Sequence, residues 1–399
     1  MSDKSRSGAT LLAQAGIFPV GSVMVPVTPA VNATTVISRR FGDDAGIDEG
    51  ALTANNDSVL DGFNYGSLRT PTSNNLVRAL CSLEGAAFAS LTPSGQSAIT
   101  VTLLSLLRPG DHLLAVDTAT YSTRWFLERR LSELGVEVEY YPPDTSDISA
   151  YFRPRTRVVF LESPGAFTFE VQDVPSIARA CRRAGIVSVL DNTWAALTFF
   201  RPLRSEIDVS VVSLSKNAGG PVGVSLGAVF TNDTALYRKI ANEIALHGLA
   251  VSADACSATL TSLTTMDLRL ERQQQTTSIL LEKLGSHSLV RTVFHPSRQM
   301  HPGHSLWKRD FSGSNSLISV SLSDVTKPKI QGFLDALEVF RIGYGWGGTI
   351  SLVSIFMANE HRSVSRCDTD GLCLRIYIGT ESCADLTTDI ERALEQLAP

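Results

Sequence analysis

Short apolar runs recur through the middle of this chain at 112–117, 136–141 and 158–162, from Ile186, from Val209, and at 227–230. Segments with apolar residues at helical spacing, 98–107, 123–134 and 174–184, alternate with them. β-Branched runs without polar alternation read as strands buried on both faces. Strand and helix taking turns predicts a mostly parallel sheet covered by helices on both sides, an α/β fold. Upstream, Leu76, Val77, Leu80, Leu83 and Ala86 carry a helical period. Beyond Asn232 one long helical region is expected to about Leu284. The last third, with strands at 316–322 and 374–378 and a helix at 388–397, reads as a smaller α+β domain.

Residues 1–60 show no such period. Pro26, Pro29, Asn32 and the polar run 53–58 predict an extended arm. The expected organisation is therefore an arm over 1–70, a large domain over 71–255 and a C-terminal α+β domain over 256–399. A chain of 399 residues with 43% hydrophobic composition is long enough for two cores.

Two strand ends stand out chemically. The run from Ile186 delivers Asp191 at the head of Asp191-Asn192-Thr193-Trp194, and the run from Val209 delivers Ser213, Ser215 and Lys216, followed by Gly219-Gly220. In open α/β sheets the carboxyl ends of the strands face the ligand. A lysine and an acid on neighbouring strand ends suit pyridoxal 5′-phosphate: the amine forms a Schiff base with the aldehyde, and the acid pairs with the protonated ring nitrogen. Read alone, Lys216 could merely close a strand and Asp191 could merely cap a turn. Thr92-Pro93-Ser94-Gly95-Gln96 opens a helix, which serves either as a cap or as a phosphate cradle. Arg375 lies in a strand pattern, where a buried guanidinium needs an anion. A substrate carboxylate and an internal Asp or Glu both qualify.

Charge and cysteine content narrow the picture. The net charge is −5, with acidic and basic residues interspersed, and no basic block points to nucleic acid or a membrane surface. Six scattered cysteines without a Cys-x-x-Cys pair read as reduced thiols. His295, His301 and His304 lack metal-ligand spacing and acidic neighbours, so no metal is expected. Gln14, Gly16 and Pro19 interrupt the apolar N-terminal residues, and no stretch reaches the length of a membrane span, so a cytoplasmic location is expected.

In order along the chain stand Tyr65 with Thr70-Pro71-Thr72, Leu83-Glu84-Gly85, Phe160-Leu161-Glu162-Ser163-Pro164, Asp191-Asn192-Thr193-Trp194 and Ser215-Lys216. His304, Trp307 to Phe311, Tyr344-Gly345-Trp346-Gly347-Gly348 and Arg375-Ile376-Tyr377-Ile378-Gly379 follow. Together these motifs resemble the Cys/Met-metabolism family of pyridoxal-phosphate enzymes, above all its cystathionine β-lyase branch. The resemblance implies the aminotransferase-type fold, fold type I. It implies that Lys216 carries the cofactor and that Asp191 pairs its ring nitrogen. Gly95, Gln96, Ser213 and Ser215 would hold the phosphate, with Ser94, Thr120 and Thr193 completing the cofactor's surroundings. Arg375 would bind the substrate α-carboxylate, helped by the backbone near Tyr344, Gly345 and Trp346. The family's usual homotetramer of dimers would bring Tyr65 to a neighbour's phosphate.

Three positions depart from the family. Ser67 stands where an arginine is common, with Arg69 nearby; Asn217 replaces the tyrosine after the lysine; and Thr120 occupies the position of the ring-stacking tyrosine. Tyr121 is one residue late and could substitute as a catalytic phenol. The expected chemistry is elimination or replacement at the β- or γ-carbon of a sulfur-containing L-amino acid. Loss of the stacking phenol favours a leaving group that needs no proton, such as the sulfonium of S-adenosylmethionine, with a second small molecule as acceptor in a replacement. The alternative is a divergent cystathionine β-lyase that uses Tyr121.

Overall fold

The computed structural model describes residues 6–37, 63, 65–322, 325, 327–369 and 371–397. The polar run at 53–58, and with it much of the expected arm, lies outside the described residues.

Seven strands form the larger sheet: β1 (Phe88–Thr92), β2 (His112–Val116), β3 (Glu137–Tyr141), β4 (Thr156–Glu162), β5 (Val187–Asp191), β6 (Val209–Ser213) and β7 (Gly227–Thr231). Their spatial order is β1-β7-β6-β5-β4-β2-β3, and only β7 runs antiparallel to its neighbours. The expected mostly parallel sheet is thus present. Its central strands are buried along nearly their whole length, as continuous Val/Leu/Phe runs require when helices cover both faces.

Five strands form the second sheet: β8 (Val290–Phe294), β9 (Leu317–Leu322), β10 (Arg341–Ile342), β11 (Leu352–Met357) and β12 (Leu372–Tyr377), in the order β8-β9-β12-β11-β10. Its core of Ile318, Val320, Phe333, Val353, Leu374 and Ile376 is separate from that of the large sheet.

Local details follow the side chains. Helix Val174–Ala184 starts at Asp173, whose carboxylate accepts from Ser176 N, and stops at Gly185 in the left-handed conformation, φ 67°. Helix Gly95–Leu106 opens with a capping box between Ser94 and Ser97. The expected helix at 123–134 is a short α-helix, Tyr121–Trp125, that widens into π-helical turns over Phe126–Leu131. The long helical region expected after Asn232 consists of three helices: Thr234–Leu246, Ala253–Leu263 and Met266–Ser286. Gly248 at φ 63° and the Ser252 cap make the first break. All six cysteines are free. Among the described residues no helix is long and apolar enough to cross a membrane.

Candidate active site

The two sheets enclose a cleft of about 320 Å³ at the carboxyl ends of β4, β5 and β6. Asp191 ends β5 beside Glu162, which ends β4 at the paired register position. Ser213 ends β6, and Lys216 follows in the next turn. Arg375, on β12, enters from the second sheet. The cleft therefore gathers Ser94, Gly95, Gln96, Thr120, Asp191 and Thr193 with Ser213, Ser215, Lys216, Tyr344, Trp346 and Arg375.

One end of the cleft is built for an anion. A Cβ on Gly95 would lie 2.4 Å from Ser213 Cβ, so only glycine lets the helix N-terminus approach this strand end. Free N–H groups and the positive end of the helix dipole point there. Thr193 Oγ1 accepts from Ser213 N at 2.8 Å, and Ser215 Oγ is tied to Leu226 N and O at 3.0 Å each. Ser94 is spent on its capping box, so its contribution to the cleft is positional.

At the other end lie the amine and the guanidinium. Lys216 Nζ lies 5.2 Å from the Trp346 ring centroid. Burial pushes its pKa down, repulsion from Arg375 adds to this, and Asp191 opposes both. A larger share of the amine is therefore neutral near pH 7 than for a surface lysine. The loop after Trp346 lies tight against the lysine backbone: a Cβ on Gly347, φ 100°, would lie 2.4 Å from Lys216 Cα. Arg375 donates to Tyr344 O, and burial lowers its pKa to about 10. Among the described residues no carboxylate pairs with it, which leaves the guanidinium for an anion from outside the chain.

Glu162 and Asp191 are adjacent carboxyls. Burial raises both pKa values, and the charge of Asp191 raises Glu162 well above the carboxylate range. Lys216 and the Thr193 N–H, 2.9 Å from Asp191 Oδ1, stabilise ionised Asp191. Among the described residues the Glu162 carboxylate accepts from Thr120 N alone, at 2.7 Å. Burial thus favours the neutral acid at both carboxyls, Asp191 adds to this at Glu162, and Lys216 and Thr193 favour the ionised form at Asp191 alone. Sequence reasoning gave Glu162 no role, because its effect depends on the β4–β5 register.

Other expected residues lie elsewhere. Tyr121 does not line the cleft: it is 54% exposed, and its ring meets Trp125 and His361. Gly345 lies between two lining residues without lining the cleft itself. Tyr65 is half exposed and bridges Thr35, away from this chain's cleft. Arg69 bonds Asn74 Oδ1, Ala89 O and Tyr237 OH and does not stand in for the missing phosphate arginine within the chain. His295 is buried between Ser297 Oγ and Asn315 O, and burial lowers its pKa to about 4.

Beneath the site, fully buried Glu84 accepts from Ser210 Oγ at 2.6 Å and from Asn192 Nδ2 at 3.1 Å, while its Oε2 has no partner. Burial raises its pKa from 4.5 to about 7. Between these values the native state holds a proton that the unfolded chain has lost, so stability falls as pH rises through that window. The loss is up to about 3 kcal/mol. In Glu84→Gln, which mimics the neutral acid, the fall in melting temperature between pH 5 and pH 7.5 should flatten. An unchanged pH slope would remove Glu84 as its source.

An amine, a buried acid and a glycine-lined helix N-terminus around one cleft fit pyridoxal 5′-phosphate, because each meets one functional group of that molecule. Residues 24–395 match the family model described as Cys/Met metabolism PLP-dependent enzyme. The chain belongs to this family. It is 40% identical over 336 residues to a putative cystathionine beta-lyase of Rhizobium johnstonii, covering 83% of this chain and 84% of that protein. It is 30% identical over 373 residues to an L-alanine/L-glutamate racemase of Wolbachia pipientis, covering 92% of each. A crystal structure of cystathionine gamma synthase from Xanthomonas oryzae pv. oryzae with cystathionine superposes with TM-score 0.87 at 25% identity over 98% of each chain. The fold is fold type I, and the protein is a pyridoxal 5′-phosphate-dependent enzyme of the lyase and synthase type.

Proposed function

We propose that this enzyme eliminates or replaces a sulfur leaving group on an L-amino acid, and that its substrate is a sulfonium such as S-adenosylmethionine, attacked at the γ-carbon. The observation that supports this is the lining at Thr120: a threonine lines the cleft at the position where the resemblance implies a phenol, and Tyr121 does not line it. A thiolate departs faster when a nearby acid protonates it, an effect of roughly 10² to 10⁴. A sulfonium leaves as a neutral thioether and needs no such acid.

The residues divide the work as follows. Gly95, Gln96, Thr193, Ser213 and Ser215 would hold the phosphate, Asp191 the ring nitrogen and Lys216 the aldehyde carbon. When bound, the cofactor supplies an electron sink for charge developing at the substrate Cα. Arg375 orients the α-carboxylate, with Tyr344 O and the Trp346 ring fixing the guanidinium and the amine beside it. The Lys216 amine takes the Cα proton and, for γ-chemistry, moves a second proton at Cβ. Oligomers in which Tyr65 of one chain reaches a neighbouring cleft complete the reading, as does the three-part division at residues 70 and 255.

A second reading is supported by the similarity to relatives named cystathionine beta-lyase. The two separate in one assay. On the sulfonium reading, the holoenzyme releases methylthioadenosine from S-adenosylmethionine and is poor with cystathionine, and Thr120→Tyr slows it by filling the cleft. Efficient pyruvate release from cystathionine, lost in Tyr121→Phe and without consumption of the sulfonium, would establish the second reading and overturn the first.

A further inference from the structure

A ladder of rings climbs from the carboxylate-binding end of the cleft to the surface. The Arg375 guanidinium lies 5.4 Å from the Phe167 ring centroid. Phe167 stacks on His361 at 5.6 Å and 21°. His361 meets Tyr121 edge-on at 5.4 Å, and Tyr121 stacks on Trp125 at 6.2 Å and 27°. The outer two rings, Tyr121 and Trp125, are 54% and 58% exposed. Thr120 and Ser122, on either side of Tyr121 in the chain, line the cleft, and Phe167 and His361 border a small neighbouring cavity with Thr118 and Ala119.

The ladder is held in place. The N–H groups of Ser363, Val364 and Ser365 donate to the Asp117 carboxylate at 2.8, 3.0 and 2.7 Å, and Arg124 pairs with the same carboxylate at 2.9 Å. Arg362 pairs with Glu170. His361, next to these anchors, is thereby set against Tyr121. Arg124, next to Trp125 in the chain, pairs with Asp117 and Glu128.

We propose that this ladder is a subsite that stacks a neutral planar heterocycle on the distal part of the substrate, and it rests on the sulfonium reading above for placing an adenine there. Two large rings presented to solvent, next in the chain to residues that line the cleft and beside a cation already paired, suit a flat uncharged group better than a phosphate or an alkyl chain. The rings already touch one another, so the heterocycle lies across their exposed faces rather than between them. An α-amino acid anchored at Arg375 can then extend its side chain past Thr120 toward Tyr121. On this view the Tyr121 ring, and not its hydroxyl, matters.

The test is binding of 5′-methylthioadenosine to the holoenzyme by calorimetry, with methionine as the ligand that lacks the heterocycle. Tyr121→Ala and Trp125→Ala should each weaken methylthioadenosine by about fivefold or more, the scale of base stacking on an aromatic side chain. Methionine should shift by less than about twofold on the same scale. Tyr121→Phe and Trp125→Phe should recover most of the affinity, which also covers the case in which an alanine variant does not fold. Unchanged methylthioadenosine binding in the alanine variants, equal weakening of methionine, or failure of Tyr121→Phe to recover would each overturn the subsite. If S-adenosylmethionine is turned over with its KM unmoved in the alanine variants, the subsite falls and the sulfonium reading stands. If methylthioadenosine binds as expected but the sulfonium is not consumed, that reading falls and the subsite stands.

Discussion

Lys216→Ala should abolish turnover, by about four orders of magnitude or more, while leaving the fold intact. Among the described residues Lys216 is the one lysine lining the cleft, so no second amine of theirs can hold the aldehyde carbon and also move the Cα proton. The substitution should also remove the visible absorbance of the covalently held cofactor, and borohydride should no longer fix the cofactor to the chain. Stability should not suffer. Burial and Arg375 both disfavour the charged amine, so its removal relieves a repulsion. The cofactor-free variant should melt at or slightly above the cofactor-free parent. A variant that keeps near-parental turnover would refute the assignment of Lys216. One that loses activity only because it unfolds would refute the argument from repulsion, and calorimetry of the two cofactor-free proteins distinguishes these outcomes.

The parts of the fold that could be read from the sequence were those whose pattern is local. The runs that became β5 and β6 are apolar without interruption and end abruptly in Asp191 and Ser213, so both the strands and their functional ends were visible. β1 (Phe88–Thr92) was not foreseen. Its Ala89-Ser90-Leu91 core carries little β-branched signal, and it exists as a strand through pairing with distant β7. β8 and β11 likewise depend on partners far along the chain. Apolar spacing persists across Gly248 and Thr264-Thr265, so periodicity marks the region after Asn232 as helical without marking the breaks between its three helices.

The site divides in the same way. Asp191, Lys216 and Arg375 stand out because a charge in an apolar run demands a partner. The role of Glu162 needs a register that places it beside Asp191, and the ring ladder needs His361 to fold back over Tyr121. Neither relation is written in spacing along the chain. The displacement of Tyr121 from the cleft is of this kind too, since one residue along a helix turns a side chain by about 100°.

Asp191→Asn should cost two or more orders of magnitude in kcat, the scale on which a positioned charge supports a reaction. The loss arises because an amide cannot balance a protonated ring nitrogen, so the cofactor would bind with a neutral ring and accept charge from Cα poorly. The neighbouring carboxyl sharpens the test. Burial and the neighbouring Asp191 favour the neutral form of Glu162, so Glu162→Gln preserves that neutral form and an oxygen for the Thr120 N–H. It should cost less than about tenfold, since no charge is lost. A charge-sharing pair, in which either carboxylate could serve the ring, would give comparable losses in both variants. Near-full activity in Asp191→Asn with a deep loss in Glu162→Gln would reverse the assignment and make Glu162 the partner of the ring nitrogen. Cofactor affinity, measured beside kcat, separates loss of binding from loss of the electron sink: Asp191→Asn should depress kcat by the larger factor.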